Sequence, residues 1–234
     1  SENQAMWTPD GKKIAFLSPE SGSMQLWMMD PDGANRVQIT QVENGINGYK
    51  ISPDMKKILY TADVYPDNKF KDLYQGLSKA TGRIYNDLMY RHWDTWVQSY
   101  SHIFTAELTR EKITTGTDIM SGEPYESPLM PFGGMEQINW SPDSRTIAYT
   151  CRKKTGREYA ISTNSDIYLY SVETGKTINI SEGMMGYDVA PVYSPDGSKI
   201  AWQSMERDGY ESDKNRLIVF DIASDEKKDF SATF

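Results

Sequence analysis

The chain has 234 residues, of which 38% are hydrophobic and 12% aromatic, and its 33 acidic and 25 basic side chains give a formal net charge of -8. This composition is typical of a folded globular protein and argues against general disorder. The negative charge argues against a nucleic-acid partner, because the phosphate backbone attracts cationic surfaces. No apolar run reaches the roughly 18 to 20 residues that a membrane-spanning helix needs.

The first ten residues, "SENQAMWTPD", lack a basic region followed by an apolar one, so this sequence contains no recognisable secretion signal. The single cysteine, Cys151, excludes a disulfide within the chain. We expect Cys151 to be a buried, unreactive thiol.

A ten-residue pattern occurs four times. It reads "WTPDGKKIAF" from Trp7, "ISPDMKKILY" from Ile51, "WSPDSRTIAY" from Trp140 and "YSPDGSKIAW" from Tyr193. The order Ser or Thr, Pro, Asp fits a type I turn, in which glycine is favoured at the fourth position. The run after each turn is rich in residues that favour strands. Each copy therefore predicts a β-hairpin.

A second pair of strand signals follows each hairpin and closes at Ile39, Ile113, Ile180 or Phe230, with Thr or Ser next in the chain. Every unit therefore predicts four antiparallel strands. The first two copies start 44 residues apart, within the range of roughly 40 to 50 residues expected for propeller blades. A β-sandwich is the alternative, but it does not explain a hairpin repeated in register.

We therefore predict an all-β fold, a β-propeller of four-stranded antiparallel blades with a helical insertion. About four blades are present, as part of a ring of seven or eight. The predicted blades cover residues 1–46, 47–118, 137–182 and 188–234, and the insertions cover 61–101 and 116–136.

The long connections are all predicted on one face of the disc. Chain direction alternates within a blade, so connections from the second to the third strand share a face with those between blades. These are the connections that vary in length, whereas the turns on the opposite face stay short. Growth on one face of a repeat array is typical of a binding surface, and neutral drift of surface loops is the alternative.

The largest insertion has the spacing of an amphipathic helix. Its apolar positions are Ile84, Tyr85, Leu88, Met89, His92 and Trp96. Packing is the ordinary role of such a stripe. Its end, however, concentrates a cation, an imidazole, an indole and a carboxylate, at Arg91, His92, Trp93 and Asp94.

The fourth unit carries a charged connection, "SMERDGYESDKN", which contains Glu206, Arg207, Asp208, Glu211 and Asp213. A solvated loop is the ordinary explanation. The alternative is a carboxylate patch that faces a cationic ligand.

No catalytic motif is found. The sequence has no G-x-S-x-G, no H-E-x-x-H, no C-x-x-C and no phosphate-binding loop, and its only histidines are His92 and His102. "DPDGAN" at Asp30 lacks the downstream glutamate of a calcium loop and is interpreted as a turn. An independent enzyme that used His92 with Asp94 would lack a nucleophile. We expect no catalytic residue, metal or cofactor, and a role in recognition.

Several strings carry a family resemblance: the four hairpins, "YRHWDTW", "AYTCRKKTGREYAISTNSDIYLY", "GMMGYDVAPVYSPDG" and "SMERDGYESDKNRL". Over nearly its whole length the chain resembles the N-terminal propeller of bacterial dipeptidyl aminopeptidase/acylaminoacyl peptidase-type enzymes of the prolyl oligopeptidase family. The resemblance implies a separate C-terminal α/β-hydrolase domain with a Ser, Asp and His triad, absent from this sequence, and a periplasmic or secreted location.

The resemblance also implies that the propeller filters substrates and that acidic side chains hold the free amino terminus of a peptide. The family's motif of two adjacent glutamates is absent here. Glu206 and Glu211 are the first candidates for the ammonium group. The other candidate substrate-binding residues are Arg207, Asp208, Arg91, Asp94, Trp93 and Tyr125. A stand-alone TolB-like propeller that binds a protein or a cell-envelope partner is the alternative function.

Four blades from a wider ring would leave an apolar flank uncovered on each end blade. Three arrangements follow: an open arc, self-association of two copies, or a closed ring of four blades.

Overall fold

The computed structural model describes residues 1–65, 76, 77, 79–82, 84, 90–92 and 95–231 and, for residues 90–92, 95 and 96, only the strands that they form. The described residues contain four antiparallel sheets of four strands each, and the strands of each sheet follow one another in chain order. The fold is therefore a row of four meandering sheets, as the repeats predict.

The strand bounds follow the repeats. The first sheet contains β1 (Asn3–Trp7), β2 (Ile14–Ser18), β3 (Gln25–Met29) and β4 (Val37–Gln38), and the second contains β5 (Gly48–Ile51), β6 (Lys57–Val64), β9 (Tyr100–Glu107) and β10 (Thr117–Asp118). The third contains β11 (Ile138–Trp140), β12 (Thr146–Cys151), β13 (Asp166–Ser171) and β14 (Thr177–Asn179), and the fourth contains β15 (Asp188–Tyr193), β16 (Lys199–Ser204), β17 (Arg216–Asp221) and β18 (Glu226–Asp229).

Four shorter elements lie in the connections. Strands β7 (Tyr90–His92) and β8 (Thr95–Trp96) pair with each other, a 3-10 helix spans Met135–Gln137, and helix α1 spans Gly156–Ile161. The amphipathic helix predicted from Ile84 to Trp96 is not found over its last residues, because His92 and Trp96 lie in these two strands. Residues 85–89 lie outside the described part of the chain.

The structure explains why Ser or Thr, Pro and Asp recur in the repeated turn. In the first copy the Thr8 hydroxyl donates to Asp10 Oδ1 at 2.6 Å, and the Gly11 amide donates to the Thr8 carbonyl at 2.8 Å. The same two hydrogen bonds recur in the other three copies. Met55 and Ser144, which depart from glycine at the fourth position, take the same left-handed backbone with φ of 61° and 63°.

Each second strand of the last three sheets places one face toward the preceding sheet. In β12, Ile147, Tyr149 and Cys151 pack into the core shared with the second sheet, whereas Ala148 packs into the core shared with the fourth. This alternation follows from the two-residue period of a strand. Three such cores join consecutive sheets, first to second, second to third and third to fourth.

The first strands of neighbouring sheets also contact one another. Lys50 Nζ on β5 donates to Asn139 Oδ1 on β11 at 2.5 Å, and Asn139 Nδ2 donates to the Pro191 carbonyl on β15 at 2.7 Å. Burial lowers the pKa of Lys50 to about 8, against a smaller opposing effect of Glu136. These strands therefore form the inner edge of the row.

The observed boundaries differ from the predicted ones in the second blade. Strand β6 runs on to Val64 and pairs with Tyr100, so its connection to β9 covers residues 65–99. The fourth strand is β10, although the sequence placed the close of this unit at Ile113. Ile113 instead forms an isolated parallel bridge with Thr40 of the first unit.

Apolar side chains are exposed on both end sheets. Trp7 of the first sheet is 58% exposed, and Val192 and Leu217 of the fourth are 56% and 47% exposed. On the first sheet the guanidinium of Arg36 lies 4.8 Å from the ring centre of Phe16 and 5.4 Å from that of Trp27, and it pairs with Glu20 at 2.6 Å. A cation therefore shields part of the outer apolar face.

Cys151 should not react with a thiol reagent in the native chain. Its side chain is fully buried, and burial raises the pKa of the thiol far above its usual range, so the reactive thiolate does not form. Labelling with a coloured thiol reagent at pH 8 checks this: no reaction is expected in buffer, and one thiol should react in guanidinium chloride. Fast labelling of the folded chain would contradict the buried position.

Candidate functional site

The long connections meet around a cavity. A cavity of about 490 Å³ is lined by residues from four connections: 119–137 and 180–187, which link sheets, and 152–165 and 205–215, which link second and third strands. Connections of both kinds that were predicted to share a face therefore contribute to one cavity. The cavity is therefore the candidate functional site.

Arg152 brings a positive charge into the cavity directly after strand β12. Its guanidinium lies 4.9 Å from the ring centre of Tyr159 on α1, and its Nη1 donates to the Tyr159 carbonyl at 3.4 Å. Its Nε is buried and makes no hydrogen bond to any described residue. Among the described residues no carboxylate pairs with Arg152, so its charge is available to a ligand.

Tyr187 and Glu211 both line the cavity. Burial raises the pKa of the Tyr187 phenol, the Arg152 charge opposes this rise, and the Glu211 charge adds to it. Tyr187 therefore lies within electrostatic range of both a cation and a carboxylate. The cavity combines groups for the two ends of a dipolar ligand.

Part of the cavity lining is apolar. It consists of Leu129, Met130, Pro131 and Phe132 from the connection between the second and third sheets, with Ile161 from α1. Phe132 is 82% exposed and Ile161 is 65% exposed, so both stand at the rim. A ligand that lies in the cavity would meet both charged groups and apolar surface.

Glu126 joins two of the connections beside the cavity. It is only 2% exposed, and its Oε1 accepts a hydrogen bond from the Tyr159 hydroxyl at 2.6 Å. Next to it, the Ser127 amide donates to the Ser101 carbonyl on β9 at 2.9 Å. Glu126 therefore connects α1 to a strand of the second sheet.

A second cavity of about 370 Å³ adjoins the first, and both are lined by Met130 and Gly133. Its lining combines the carboxylates of Asp63 and Glu126 and several hydroxyl and amide side chains with the apolar side chains of Pro128, Met130 and Met135. Asp63 accepts a hydrogen bond from Asn47 at 3.0 Å. Glu126 thus lines the second cavity, and its hydrogen-bond partner Tyr159 lines the first.

Asp208 holds two connections together. Its Oδ1 accepts hydrogen bonds from the Ser162 hydroxyl at 2.6 Å and from the amides of Thr163 and Asn164 at 2.8 and 3.1 Å. These bonds lower the pKa of Asp208 against the opposing effect of partial burial. Asp208, predicted from the sequence as a substrate-binding residue, has a structural role in these contacts.

Arg207 is held by Asp213. Its Nη2 and Nε lie 3.0 and 3.2 Å from the two carboxylate oxygens, and its guanidinium lies 3.9 Å from the ring centre of Tyr210. The paired guanidinium lowers the pKa of Asp213 far below its usual range. Arg207 is therefore already neutralised, in contrast to Arg152.

The other predicted site residues are distributed as follows. Glu211 lines the cavity, and Glu206 is exposed on the same connection. Tyr125 packs at the edge of the core between the second and third sheets, 5.9 Å from Lys153 Nζ. Arg91 belongs to β7, and Trp93 and Asp94 lie outside the described residues.

Sequence reasoning missed Arg152, Tyr159 and Tyr187. All three belong to the strings that carry the family resemblance, which is the only signal that could have pointed to them. A single arginine after a strand is not distinctive by itself. Its significance comes from the absence of a carboxylate partner among the described residues, which only coordinates reveal.

His102 is buried and hydrogen-bonded on both ring nitrogens. It is 2% exposed, with Nδ1 at 2.9 Å from Asp118 Oδ2 and Nε2 at 3.1 Å from the Glu123 carbonyl. The described residues include no group of three or more residues suited to hold a metal ion, and no helix among them is long and apolar enough to cross a membrane.

The chain is similar over its entire length to curated proteins. It is 55% identical over 234 residues to dipeptidyl-peptidase 5 of Porphyromonas gingivalis, matching all of this chain and 34% of the relative. It is 50% identical over 213 residues to dipeptidyl-peptidase 5 of Porphyromonas endodontalis, matching 91% of this chain and 31% of the relative. The chain is a homologue of one segment of dipeptidyl-peptidase 5. It spans about a third of the length of these relatives.

Solved structures resemble the fold. An acylaminoacyl peptidase bound to Z-Gly-Gly-Phe-chloromethyl ketone aligns with 100% of this chain and 32% of its own chain, with a TM-score of 0.64 and 16% sequence identity. TolB of Acinetobacter baumannii aligns with 98% of this chain and 43% of its own chain, with a TM-score of 0.56 and 19% sequence identity. No protein-family model matches the chain. The sheets and these neighbours confirm an all-β fold of propeller blades, in agreement with the dipeptidyl-peptidase 5 relatives.

Proposed function

We propose that the chain is the substrate-recognition part of a dipeptidyl-peptidase and holds the N-terminal end of a peptide in the 490 Å³ cavity. A separate C-terminal hydrolase domain would cut the bound peptide, and the blades would admit substrates by size. The 55% identity to dipeptidyl-peptidase 5 supports the enzyme class. A periplasmic or secreted location is part of the same proposal.

The observation that carries the proposal is Arg152. A guanidinium that borders a cavity without a carboxylate partner among the described residues can donate hydrogen bonds to a ligand oxygen at little cost. A peptide offers its carbonyl oxygens as such acceptors. We therefore assign Arg152 to a backbone carbonyl near the peptide's amino end.

Glu211 supplies the complementary charge. The ammonium group and the first carbonyl of a peptide are separated by only two bonds, so one cavity can hold both. Glu211 lines the cavity together with Tyr187, whose pKa is affected by the charges of both Arg152 and Glu211. Because Glu211 is exposed, its attraction for an ammonium group is weaker than that of a buried carboxylate.

Replacement of Arg152 by glutamine should raise KM for a dipeptidyl nitroanilide by about tenfold or more and change kcat little, because a charge-assisted hydrogen bond contributes about 1.5 to 3 kcal/mol to binding. Steady-state kinetics of the full-length protein that carries this chain measures both constants. Glu211→Gln and Glu206→Gln should raise KM several-fold for a free-amine substrate only.

Arg157→Gln is the matched control, because Arg157 is exposed on the same connection and does not line the cavity. Its KM should equal that of the unmodified protein. An unchanged KM for Arg152→Gln would overturn the assignment of the cavity to the peptide. Equal responses of free and acylated substrates would remove Glu206 and Glu211 from amine binding.

The second candidate is a stand-alone TolB-like propeller that docks a protein or cell-envelope partner. The exposed Phe132 and Ile161 at the rim of the cavity favour it, because exposed apolar side chains are typical of docking surfaces. The coding sequence downstream of Phe234 separates the two candidates: a hydrolase domain with a G-x-S-x-G elbow supports the peptidase.

A further inference from the structure

We infer that Glu126 is a positioning residue that holds Arg152 ready for the peptide through Tyr159. The inference rests on the proposed function, in which Arg152 contacts the substrate. It assigns a role to a buried carboxylate outside the ligand contacts described above.

A hydrogen bond joins Glu126 and Tyr159. Their oxygens are 2.6 Å apart, a short distance for a hydroxyl that donates to a carboxyl oxygen. Burial of Glu126 limits competition from water for this hydrogen bond. The hydroxyl end of the Tyr159 ring is therefore fixed.

Tyr159 in turn contacts Arg152. The fixed ring lies under the guanidinium at 4.9 Å, and the Tyr159 carbonyl accepts from Nη1 at 3.4 Å. One residue thus holds the arginine by its face and by one nitrogen. An arginine side chain that is free in solution loses rotamer entropy when a ligand fixes it.

Glu126 and Tyr159 belong to different parts of the fold. Glu126 is anchored beside β9 of the second sheet through Ser127, whereas Tyr159 belongs to α1, which is inserted in the third sheet. The hydrogen bond therefore fixes α1 against the connection that forms the apolar part of the cavity lining. Arg152 is preorganised by a contact that crosses between two blades, which reduces the entropy lost when the ligand binds.

The test is a set of variants in the full-length protein, measured as KM and kcat for a dipeptidyl nitroanilide. Tyr159→Phe keeps the ring and removes only the hydroxyl, and it should raise KM about fivefold, since one net hydrogen bond contributes about 1 kcal/mol. Glu126→Ala should do the same. Glu126→Gln should stay within about twofold of the parent, because its amide oxygen still accepts from Tyr159.

Two comparisons identify positioning as the cause. In an Arg152→Gln background, Tyr159→Phe should add no further rise in KM, because the group that it positions is gone. Tyr65→Phe, at an exposed tyrosine, is the matched control and should leave KM unchanged. If Glu126→Ala fails to fold, Tyr159→Phe and Glu126→Gln still decide the result.

Three results would overturn the inference. The first is an unchanged KM for Tyr159→Phe while Arg152→Gln raises KM, which leaves the proposed function intact. The second is an equal rise from Tyr159→Phe with and without Arg152, which would give Tyr159 an independent role. The third is no effect of Arg152→Gln, in which case the proposed function fails as well.

Discussion

Asp188→Asn should stabilise the chain by about 2 to 3 kcal/mol at pH 7.5 and change its stability little at pH 4. Asp188 is fully buried between the third and fourth sheets, and its Oδ1 accepts from Trp202 Nε1 at 2.9 Å. Burial raises its pKa from 3.8 to about 6, against smaller opposing effects of Ser204 and Trp202. A shift of about two units corresponds to about 3 kcal/mol.

The direction of the effect follows from the two pKa values. Below pH 3.8 the carboxyl group is protonated in both the folded and the unfolded chain, so it imposes no penalty. Between pH 3.8 and about 6 the unfolded chain releases its proton first, and the free energy of unfolding falls as pH rises. Above about pH 6 the penalty is complete. Asparagine keeps the acceptor for Trp202 and cannot ionise.

Urea unfolding followed by tryptophan fluorescence at several values between pH 4 and pH 7.5 measures this difference. The two curves should diverge as pH rises through the window. Asp32→Asn, at an exposed turn position, is the matched control and should follow the parent at every pH. Parallel curves for Asp188→Asn and the parent would show that Asp188 does not carry this penalty.

Gly186→Ala should lower the free energy of unfolding by about 3 kcal/mol, at the upper end of the usual cost of overpacking. A Cβ at Gly186 would lie 2.0 Å from the Met205 carbonyl oxygen and 2.4 Å from its carbon. Both contacts are with backbone, so no side-chain rotation relieves them. The backbone of the 180–187 and 205–215 connections must separate.

The same change should weaken ligand binding. Tyr187, next to Gly186, and Met205 both line the cavity, and the Met205 amide donates to the Tyr187 carbonyl at 3.1 Å. Thermal unfolding measures the stability loss, and KM in the full-length protein measures the effect on the cavity. Gly76→Ala is the matched control, since a Cβ there meets no atom of the described residues within 4 Å. Equal melting temperatures for the two variants would refute the predicted clash.

The fold was accessible from the sequence because its signals are local. Each Ser or Thr, Pro, Asp turn is closed by hydrogen bonds within a few residues, so the pattern appears directly in the chain. The second blade was harder, because its fourth strand, β10, has only two residues and the apolar Ile113 had a stronger strand signal. Pairing with β9 decided the position, and such pairing is a tertiary property.

The site was only partly accessible. The face was predicted from connection lengths and Glu211 from its charged surroundings, and both are found at the cavity. Asp208 and Arg207 had the same local signal as Glu211, yet hydrogen bonds to Ser162 and Asp213 occupy them. Arg152 differs from them, because it has no carboxylate partner among the described residues. Whether it has one depends on connections that are distant in the chain. Neither outcome can be deduced from residue types alone.

The three cores have a consequence for synthesis on the ribosome. Each joins two sheets that are neighbours along the chain, so every sheet can dock on its predecessor as soon as it emerges. Assembly can therefore proceed from the first blade onward without waiting for distant segments, which shortens the exposure of unpaired strand edges. The cavity would be completed only after residue 211 has left the ribosomal tunnel, since Glu211 is part of its lining.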